Sequence, residues 1–268
     1  MRKPGYILYF LMILFHSACA QDSTINEYSL GSLKIKVQTV CFNQCDTNIT
    51  FINVHENEAT SVEAAKQFLK DHGGNLITLK HSGNRNLSFS LKNKVFSVDP
   101  NRMYTDSGRK ASMKALGDYK HYAAVPVKRF AEQLLTNFID GKSLVVALHN
   151  NTDSAYSILS YINKELEGNN AADVYINDTM DTDDFILTTD NRIFDSLKVR
   201  GINVILQSKN ALDDGSLSVY AEKNNISYIN VEAEHGHVEE QLRMLQALKD
   251  VLIFYRSNDT TNRINFRK

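Results

Sequence analysis

Four side chains that could carry out hydrolysis follow three strand-like segments of the sequence. His55 and Glu58 come directly after the segment I-T-F-I-N-V, His149 follows L-V-V-A-L, and Glu232 follows I-S-Y-I-N-V. In open α/β sheets, functional residues gather beyond the carboxyl ends of the strands. We therefore expect these four side chains to lie close together at one edge of a sheet.

The first pair has the spacing of a metal site. His55 and Glu58 are three residues apart, so on a turn their side chains can converge on one metal ion. His149, from another strand, would complete a set of two histidines and one glutamate and leave a fourth position for water. Imidazole and carboxylate ligands suit zinc. The sequence thus predicts one zinc ion per chain, held by His55, Glu58 and His149.

Glu232 is the candidate for proton transfer. Hydrolysis of an amide needs a polarised carbonyl, an activated water and a group that passes a proton to the leaving amine. Zinc supplies the first two and a carboxylate supplies the third. Glu234 lies two residues farther along, on the same face of the strand, and is the alternative.

The H-x-x-E spacing alone is weak evidence, because it occurs a second time at His237 and Glu240. That pair stands where the last long helix is expected to begin. Together with His235, it is interpreted as a solvated helix start or as a group that supports the site from outside. The first pair is favoured because it follows a strand and because suitable partners come later in the chain.

The elements that must position these residues alternate between strand-like and helix-like patterns. Continuous apolar runs such as L-V-V-A-L are typical of strands buried on both faces of a parallel sheet. Strands are predicted at 33–40, 49–54, 75–79, 144–148, 185–188, 202–206 and 226–231, helices at 61–72, 127–138, 153–166 and 238–252, and a hairpin at 87–91 and 95–98. The pattern predicts a single α/β domain with a mostly parallel or mixed central sheet flanked by helices.

Composition sets wider limits. The chain has 268 residues, of which 43% are hydrophobic, so it can bury a large core and is not disordered. Its 30 Lys and Arg are balanced by 31 Asp and Glu. The basic excess of a nucleic-acid-binding protein is missing, and no nucleic-acid partner is expected.

Residues 1–20 have the pattern of a signal peptide. Arg2 and Lys3 precede an apolar run at 7–15, and Ala18 and Ala20 form an A-x-A cleavage signal. The run is too short to cross a bilayer comfortably, so cleavage is favoured over a membrane span. Lipoprotein processing at Cys19 is the less favoured alternative.

Cleavage would leave a catalytic domain at 21–268 with two cysteines, Cys41 and Cys45. A local disulfide between them is expected in an exported protein. Asn150 belongs to an N-x-S/T sequon, and a glycan there would block the cleft beside His149. We therefore interpret the sequons as incidental, and the protein as one that a bacterium exports to the periplasm or secretes.

Four motifs, in this order, resemble those of the zinc carboxypeptidase superfamily, including its aspartoacylase and succinylglutamate desuccinylase branch. N-V-H-E-N-E resembles the H-x-x-E zinc motif and V-D-P-N-R-M-Y resembles the D-x-N-R-x-F motif. A-L-H-N resembles the strand end with the third ligand, and N-V-E resembles the strand with the catalytic glutamate. The resemblance runs from about residue 50 to 245. It implies a zinc hydrolase with His55, Glu58 and His149 as ligands and Glu232 as general base and acid.

The resemblance also implies how a substrate would be held. Arg102 would bind a substrate carboxylate through its planar fork, and Asn101 would add a donor. A second arginine in the family stabilises the tetrahedral oxyanion, and Arg85 is the candidate here, with Lys94 as the alternative. Asn210 lies near the register of the carboxypeptidases' active-site tyrosine, which argues against a strict digestive-carboxypeptidase pocket.

Together these features predict an exported zinc-dependent hydrolase that cleaves an amide bond next to a free carboxylate. The substrate would be a small molecule or peptide, such as a peptide C-terminus or an N-acyl amino acid. The alternative is a non-catalytic protein that retains the fold and binds a peptide or carboxylate.

Overall fold

The computed structural model describes residues 22–45, 48–152, 156–163 and 169–265, with the backbone alone from 258 onward. The strands in these ranges are β1 (Ser23–Leu30), β2 (Leu33–Phe42), β3 (Ile49–Asn53), β4 (Gly74–Lys80), β5 (Leu87–Leu91), β6 (Lys94–Val98), β7 (Leu144–Asn151), β8 (Ala171–Tyr175), β9 (Phe185–Thr188), β10 (Val204–Gln207) and β11 (Tyr228–Glu234). The helices are α1 (Ala59–His72), α2 (Asp106–Ala115), α3 (His121–Leu134), α4 (Asn191–Val199), α5 (Leu217–Lys223), α6 (Val238–Ala247) and α7 (Lys249–Asn265). Short 3₁₀ turns occur at Pro100–Arg102 and Ile158–Tyr161, and a π turn at Leu135–Ile139 follows α3.

Nine of these strands form one mixed sheet in the order β1-β2-β4-β3-β7-β11-β9-β10-β8. The central strands β4, β3, β7 and β11 are parallel to their neighbours in that run, whereas β2 pairs with β4, and β9 with β11, in antiparallel fashion. β5 and β6 form a separate hairpin. The predicted α/β class, with a mixed central sheet flanked by helices, is confirmed.

The central strands are buried on both faces, as their continuous apolar runs predict. Every residue of β3 and β7 is buried. Along β7, Val145 and Ala147 belong to a core shared with α2, α3 and α5, whereas Val146 and Leu148 belong to a core shared with α1, α4, α6 and α7. Because side chains alternate with period two, helices cover both faces of the sheet.

Several predicted elements differ from the structure. The helix predicted at 153–166 is wrong: its described part holds only the 3₁₀ turn Ile158–Tyr161, and Tyr156 and Tyr161 pack edge-on against Phe185. The helix predicted at 238–252 is two helices, α6 and α7, which meet at Leu248. β1 and β8, at the two edges of the sheet, and the helices α2, α4 and α5 are absent from the prediction.

The structure joins Cys41 to Cys45 in the expected local disulfide. The predicted signal peptide and Cys19 lie outside the described residues. Within the part of the chain that is described, no helix combines the length and the apolar character needed to cross a membrane.

Candidate active site

The order of the sheet brings the predicted site residues together. β3 and β11 lie on either side of β7, and all three run in the same direction. His149 in β7 stands directly opposite Glu232 in β11. His55 and Glu58 occupy the short connection between β3 and α1. These positions explain why residues far apart in the sequence meet at one edge of the sheet.

Three ligand atoms converge at this edge. His55 Nδ1 lies 2.8 Å from Glu58 Oε1, and His149 Nδ1 lies 2.9 Å from Glu58 Oε2. The two histidine Nδ1 atoms are only 3.1 Å apart. All three side chains are buried, and they are the one group in the described ranges whose spacing would hold a metal ion.

The chemistry of this donor set fits zinc. Two imidazole nitrogens that face each other beside a buried carboxylate need a positive charge between them, supplied by protons or by a metal ion. Three protein ligands with an open fourth position are the arrangement of catalytic zinc sites. The residues present therefore fit the ion that the motifs imply.

Asp99 contacts the His55 ring at the nitrogen that faces away from Glu58. Its Oδ1 lies 2.8 Å from His55 Nε2 and also accepts a hydrogen bond from the backbone N–H of Asn101 at 2.7 Å. Because the carboxylate can only accept, His55 Nε2 carries the hydrogen and Nδ1 is turned toward Glu58 and His149. A carboxylate behind a ligating histidine fixes both the ring and its tautomer.

The charges of the cluster favour the binding of a cation. Burial alone would raise the pKa of Glu58, but His149 and His55 outweigh it and hold the pKa well below its usual range. Burial would lower the pKa of His55, yet Glu58 and Asp99 raise it. The pKa of Asp99 also lies below its usual range, because His55, Arg85 and Arg102 outweigh its burial. The two carboxylates stay charged, as metal binding requires.

Glu232 is buried at the edge of the cluster and carries a raised pKa. Its burial is the main cause, and the nearby charge of Glu58 adds to it. One oxygen accepts a hydrogen bond from the side-chain amide of Asn230 at 3.0 Å. Glu234, by contrast, lies 3.4 Å from His237 Nε2 and outside the residues that line the cavity.

Arg85 reaches the same cluster from a loop. Its guanidinium forms an ion pair with Glu58 and lies 3.7 Å from Asp99 Oδ2. The loop is held by Glu56, whose Oε2 accepts hydrogen bonds from the backbone N–H groups of three successive residues, 81 to 83, at 2.6–2.7 Å. Lys94, the alternative to Arg85, is exposed at the start of β6 and lies outside the cavity lining.

A cavity of about 600 Å³ opens beside the cluster and contains Glu58, His149 and Glu232 in its walls. Arg102 and Asn101 also line it. The Arg102 guanidinium lies 3.4 Å from Asp214 Oδ2 through Nε and donates to the Asn101 carbonyl through Nη1 at 2.9 Å. Asn101 Oδ1 accepts from the backbone N–H of Leu217 at 3.1 Å, so its amide nitrogen is the group left for a ligand.

Four residues of this region are absent from the prediction: Asp99, Asp214, Tyr156 and Tyr161. Asp99 is the first residue of the D-x-N-R motif, so the motif itself carries the signal. Tyr156 and Tyr161 line the cavity with their hydroxyls hydrogen-bonded to each other, whereas Asn210 lies outside the cavity lining. Asp214 meets Arg102 only through the fold, and no local pattern marks it.

Asn150 also lines the cavity but is buried. Its Oδ1 accepts from the backbone N–H of Ser61 at 2.9 Å, and its Nδ2 donates to the carbonyl of Ala233 at 3.2 Å. Both ends of the amide are therefore engaged within the fold, which agrees with the interpretation of this sequon as incidental.

Comparisons with known proteins give structural neighbours only. No model of a protein family matches the sequence, and neither does any curated protein. The thrombin activatable fibrinolysis inhibitor is similar at a TM-score of 0.48 and 13% identity, over 87% of this chain and 72% of its own. A metallo-carboxypeptidase from Burkholderia cenocepacia gives 0.44 and 10%, over 87% and 65%. The murein-tripeptide amidase of Escherichia coli O157 gives 0.43 and 11%, over 80% and 86%.

Proposed function

We propose that this protein is an exported zinc-dependent hydrolase that cleaves an amide bond next to a free carboxylate of its substrate. One observation carries the proposal. Glu58 and His149, which converge with His55, line a cavity together with a buried glutamate, Glu232, and the half-exposed guanidinium of Arg102. A metal site, a proton carrier and a carboxylate receptor are the three parts that this reaction needs.

His55, Glu58 and His149 would hold the ion, with Asp99 fixing the His55 ring. Zinc bound there would polarise the scissile carbonyl and lower the pKa of a water molecule. Arg85, which lines the cavity beside Glu58, would add positive charge that stabilises an oxyanion. Its ion pairs with Glu58 and Asp99 hold the guanidinium in place before substrate arrives.

Glu232 would take a proton from the attacking water and deliver it to the leaving amine. A carboxylate with a raised pKa suits this double role, because it takes up a proton more readily than an exposed glutamate. Its hydrogen bond from Asn230 fixes one oxygen and leaves the other available. Arg102, which lines the same cavity, would bind the substrate carboxylate.

The export of the protein is proposed from its sequence alone. The basic start, the short apolar run and the A-x-A signal in residues 1–20 support a cleaved leader and a periplasmic or secreted enzyme.

The test is hydrolysis of N-acyl amino acids and short peptides, each paired with its carboxyl-terminal amide. We expect turnover that a chelator abolishes and added zinc restores. Amidation should lower kcat/KM by about tenfold or more, because the charged hydrogen bonds to Arg102 are lost. Equal turnover of the amides would remove the role given to Arg102. Binding of the carboxylates without any hydrolysis would identify the protein as a non-catalytic binder.

A further inference from the structure

Arg102, the group that would bind a substrate carboxylate, has the acidic side chain of Asp214 beside it in the cavity. Arg102 Nε and Asp214 Oδ2 are 3.4 Å apart, and both side chains are more than a third exposed to the cavity that they line. The cavity therefore offers a guanidinium and a carboxylate side by side. A receptor for a simple carboxylate needs only the guanidinium.

Asp214 is held rigidly at this position. Its Oδ1 accepts a hydrogen bond from the backbone N–H of Ser216 at 2.8 Å, and the carbonyl of Gly215 accepts one from Tyr104 at 3.1 Å. Gly215 has a φ of +80°, and a Cβ there would lie 2.6 Å from the Arg102 carbonyl oxygen. The loop thus packs its backbone directly on the backbone that carries Arg102, so the pair of charges is built into the fold.

This pair penalises a substrate that brings only a carboxylate. Such a group, once bound to Arg102, would also lie within a few ångströms of the Asp214 carboxylate. Like charges at that separation repel each other, and more strongly in a cavity than in bulk water. An ammonium group on the carbon next to the substrate carboxylate would meet Asp214 and turn the repulsion into attraction. Specificity commonly uses such a repulsive element against the wrong ligand.

We propose that Arg102 and Asp214 together bind an α-amino acid zwitterion, with the carboxylate on Arg102 and the ammonium on Asp214. In an ordinary peptide C-terminus or N-acyl amino acid, the α-nitrogen is part of the scissile amide and carries no charge. The preferred substrate class is therefore a diamino acid that is acylated on its side-chain nitrogen and retains a free α-amino and α-carboxyl group.

The inference rests on the proposed function for its hydrolytic chemistry, and it moves the scissile amide from the α-nitrogen of the substrate to the side-chain nitrogen. Water adds to the acyl carbon, the bond between that carbon and the side-chain nitrogen breaks, and the nitrogen leaves as an amine after receiving a proton. The products are a carboxylic acid and the free diamino acid.

Two isomers of one compound test the proposal. Nε-acetyl-lysine presents the zwitterion, whereas Nα-acetyl-lysine presents the carboxylate alone. The corresponding derivatives of ornithine and 2,4-diaminobutyrate cover shorter distances between the zwitterion and the amide. For the best chain length, we expect kcat/KM to favour the side-chain-acylated isomer by about tenfold or more, the ratio that 1.4 kcal/mol produces.

Asp214→Asn should remove most of this preference, because it abolishes the charge while retaining the shape. Asp213→Asn is the matched control, since Asp213 accepts hydrogen bonds from Thr105 and Ser107 and lies outside the cavity lining. Its isomer ratio should equal that of the wild type. A wild-type preference for the α-acylated isomers would overturn the proposal, and so would an unchanged ratio in Asp214→Asn.

A binding measurement separates this proposal from the hydrolase function. If neither isomer is cleaved, calorimetry with the zinc-loaded protein compares free lysine with Nα-acetyl-lysine. Tighter binding of lysine that Asp214→Asn abolishes would support zwitterion recognition while the hydrolase proposal fails. Equal or absent binding of lysine would overturn the zwitterion proposal.

Discussion

The molecule contains the same H-x-x-E spacing twice, in two different surroundings. His55 and Glu58 are both buried, follow a central strand and face a third ligand on the next strand. His237 is 37% exposed, stands just before α6, and has Glu234 and Asp184 as its ion-pair partners among the described residues, rather than Glu240. The element before the pair, and the strand beside it, therefore decide whether the spacing could hold a metal ion.

The pKa of a buried carboxylate is also shifted in opposite directions in the two surroundings. At the first pair, two histidines hold the pKa of Glu58 below its usual range in spite of burial. Near the second pair, burial raises the pKa of Asp184 to about 6. The hydrogen bond from the backbone N–H of Glu234 and the charge of His237 offset this rise only in part. Burial acts in the same direction on both acids, and the number and closeness of cationic partners set the outcome.

The largest expected effect is on metal content. Wild-type protein should contain about one zinc per chain, and His149→Ala or His55→Ala should abolish it, because two remaining ligands bind zinc weakly. His237→Ala should keep full occupancy. Elemental analysis of the purified variants makes the comparison. Full zinc in both His55→Ala and His149→Ala would disprove this ligand set.

The next effect concerns the two glutamates of β11. Glu232→Gln should retain zinc and lose about 10²–10⁴-fold in kcat, the usual contribution of a general acid–base group. Glu234→Gln should lose much less, since that side chain contacts His237 outside the cavity. The measurement is kcat at matched zinc content. A larger loss in Glu234→Gln would transfer the proton-carrying role to Glu234.

The smallest effect is a change in stability with pH near the second pair. The folded-state pKa of Asp184, about 6, is above its ordinary value of 3.8, so the folded protein holds this proton more tightly than the unfolded chain. The stability that this proton on Asp184 contributes to the fold is present below pH 3.8 and is lost as the pH rises to about 6.

Asp184→Asn removes this titration. The Tm of the variant, relative to the wild type, should therefore be higher at pH 7 than at pH 4. Thermal unfolding at the two pH values provides the test. An identical difference in Tm at both would show that Asp184 does not titrate in this range.

The sequence predicted the centre of the molecule better than its edges. β3, β7 and β11 are mostly apolar and are followed by or end in polar residues, so both the strands and the convergence of His55, His149 and Glu232 could be inferred. β1 is largely exposed along its length, and a polar edge strand gives little periodic signal. The wrong helix at 153–166 includes Tyr156 and Tyr161, which pack edge-on against Phe185 instead.

Two of the residues that the prediction lacks depend on three-dimensional contacts. Asp214 lies beside Arg102 because its loop packs on the backbone of Arg102. Asp184 is buried beside His237. Neither residue lies in a motif. No pattern in the sequence marks either contact, so these residues could be found only in the folded structure.

The arrangement of the three central strands also governs how the molecule must fold. His55 and His149 are 94 residues apart in the chain, and β11 follows β7 after a further long connection. Neighbours in the sheet that are distant in sequence close large loops, which slows folding because the entropy is lost before the contacts form. The complete site exists only after β11 has paired with β7. The metal ligands need only the pairing of β3 with β7, but an amino-terminal fragment that lacks β11 also lacks Glu232 and cannot carry the whole active site.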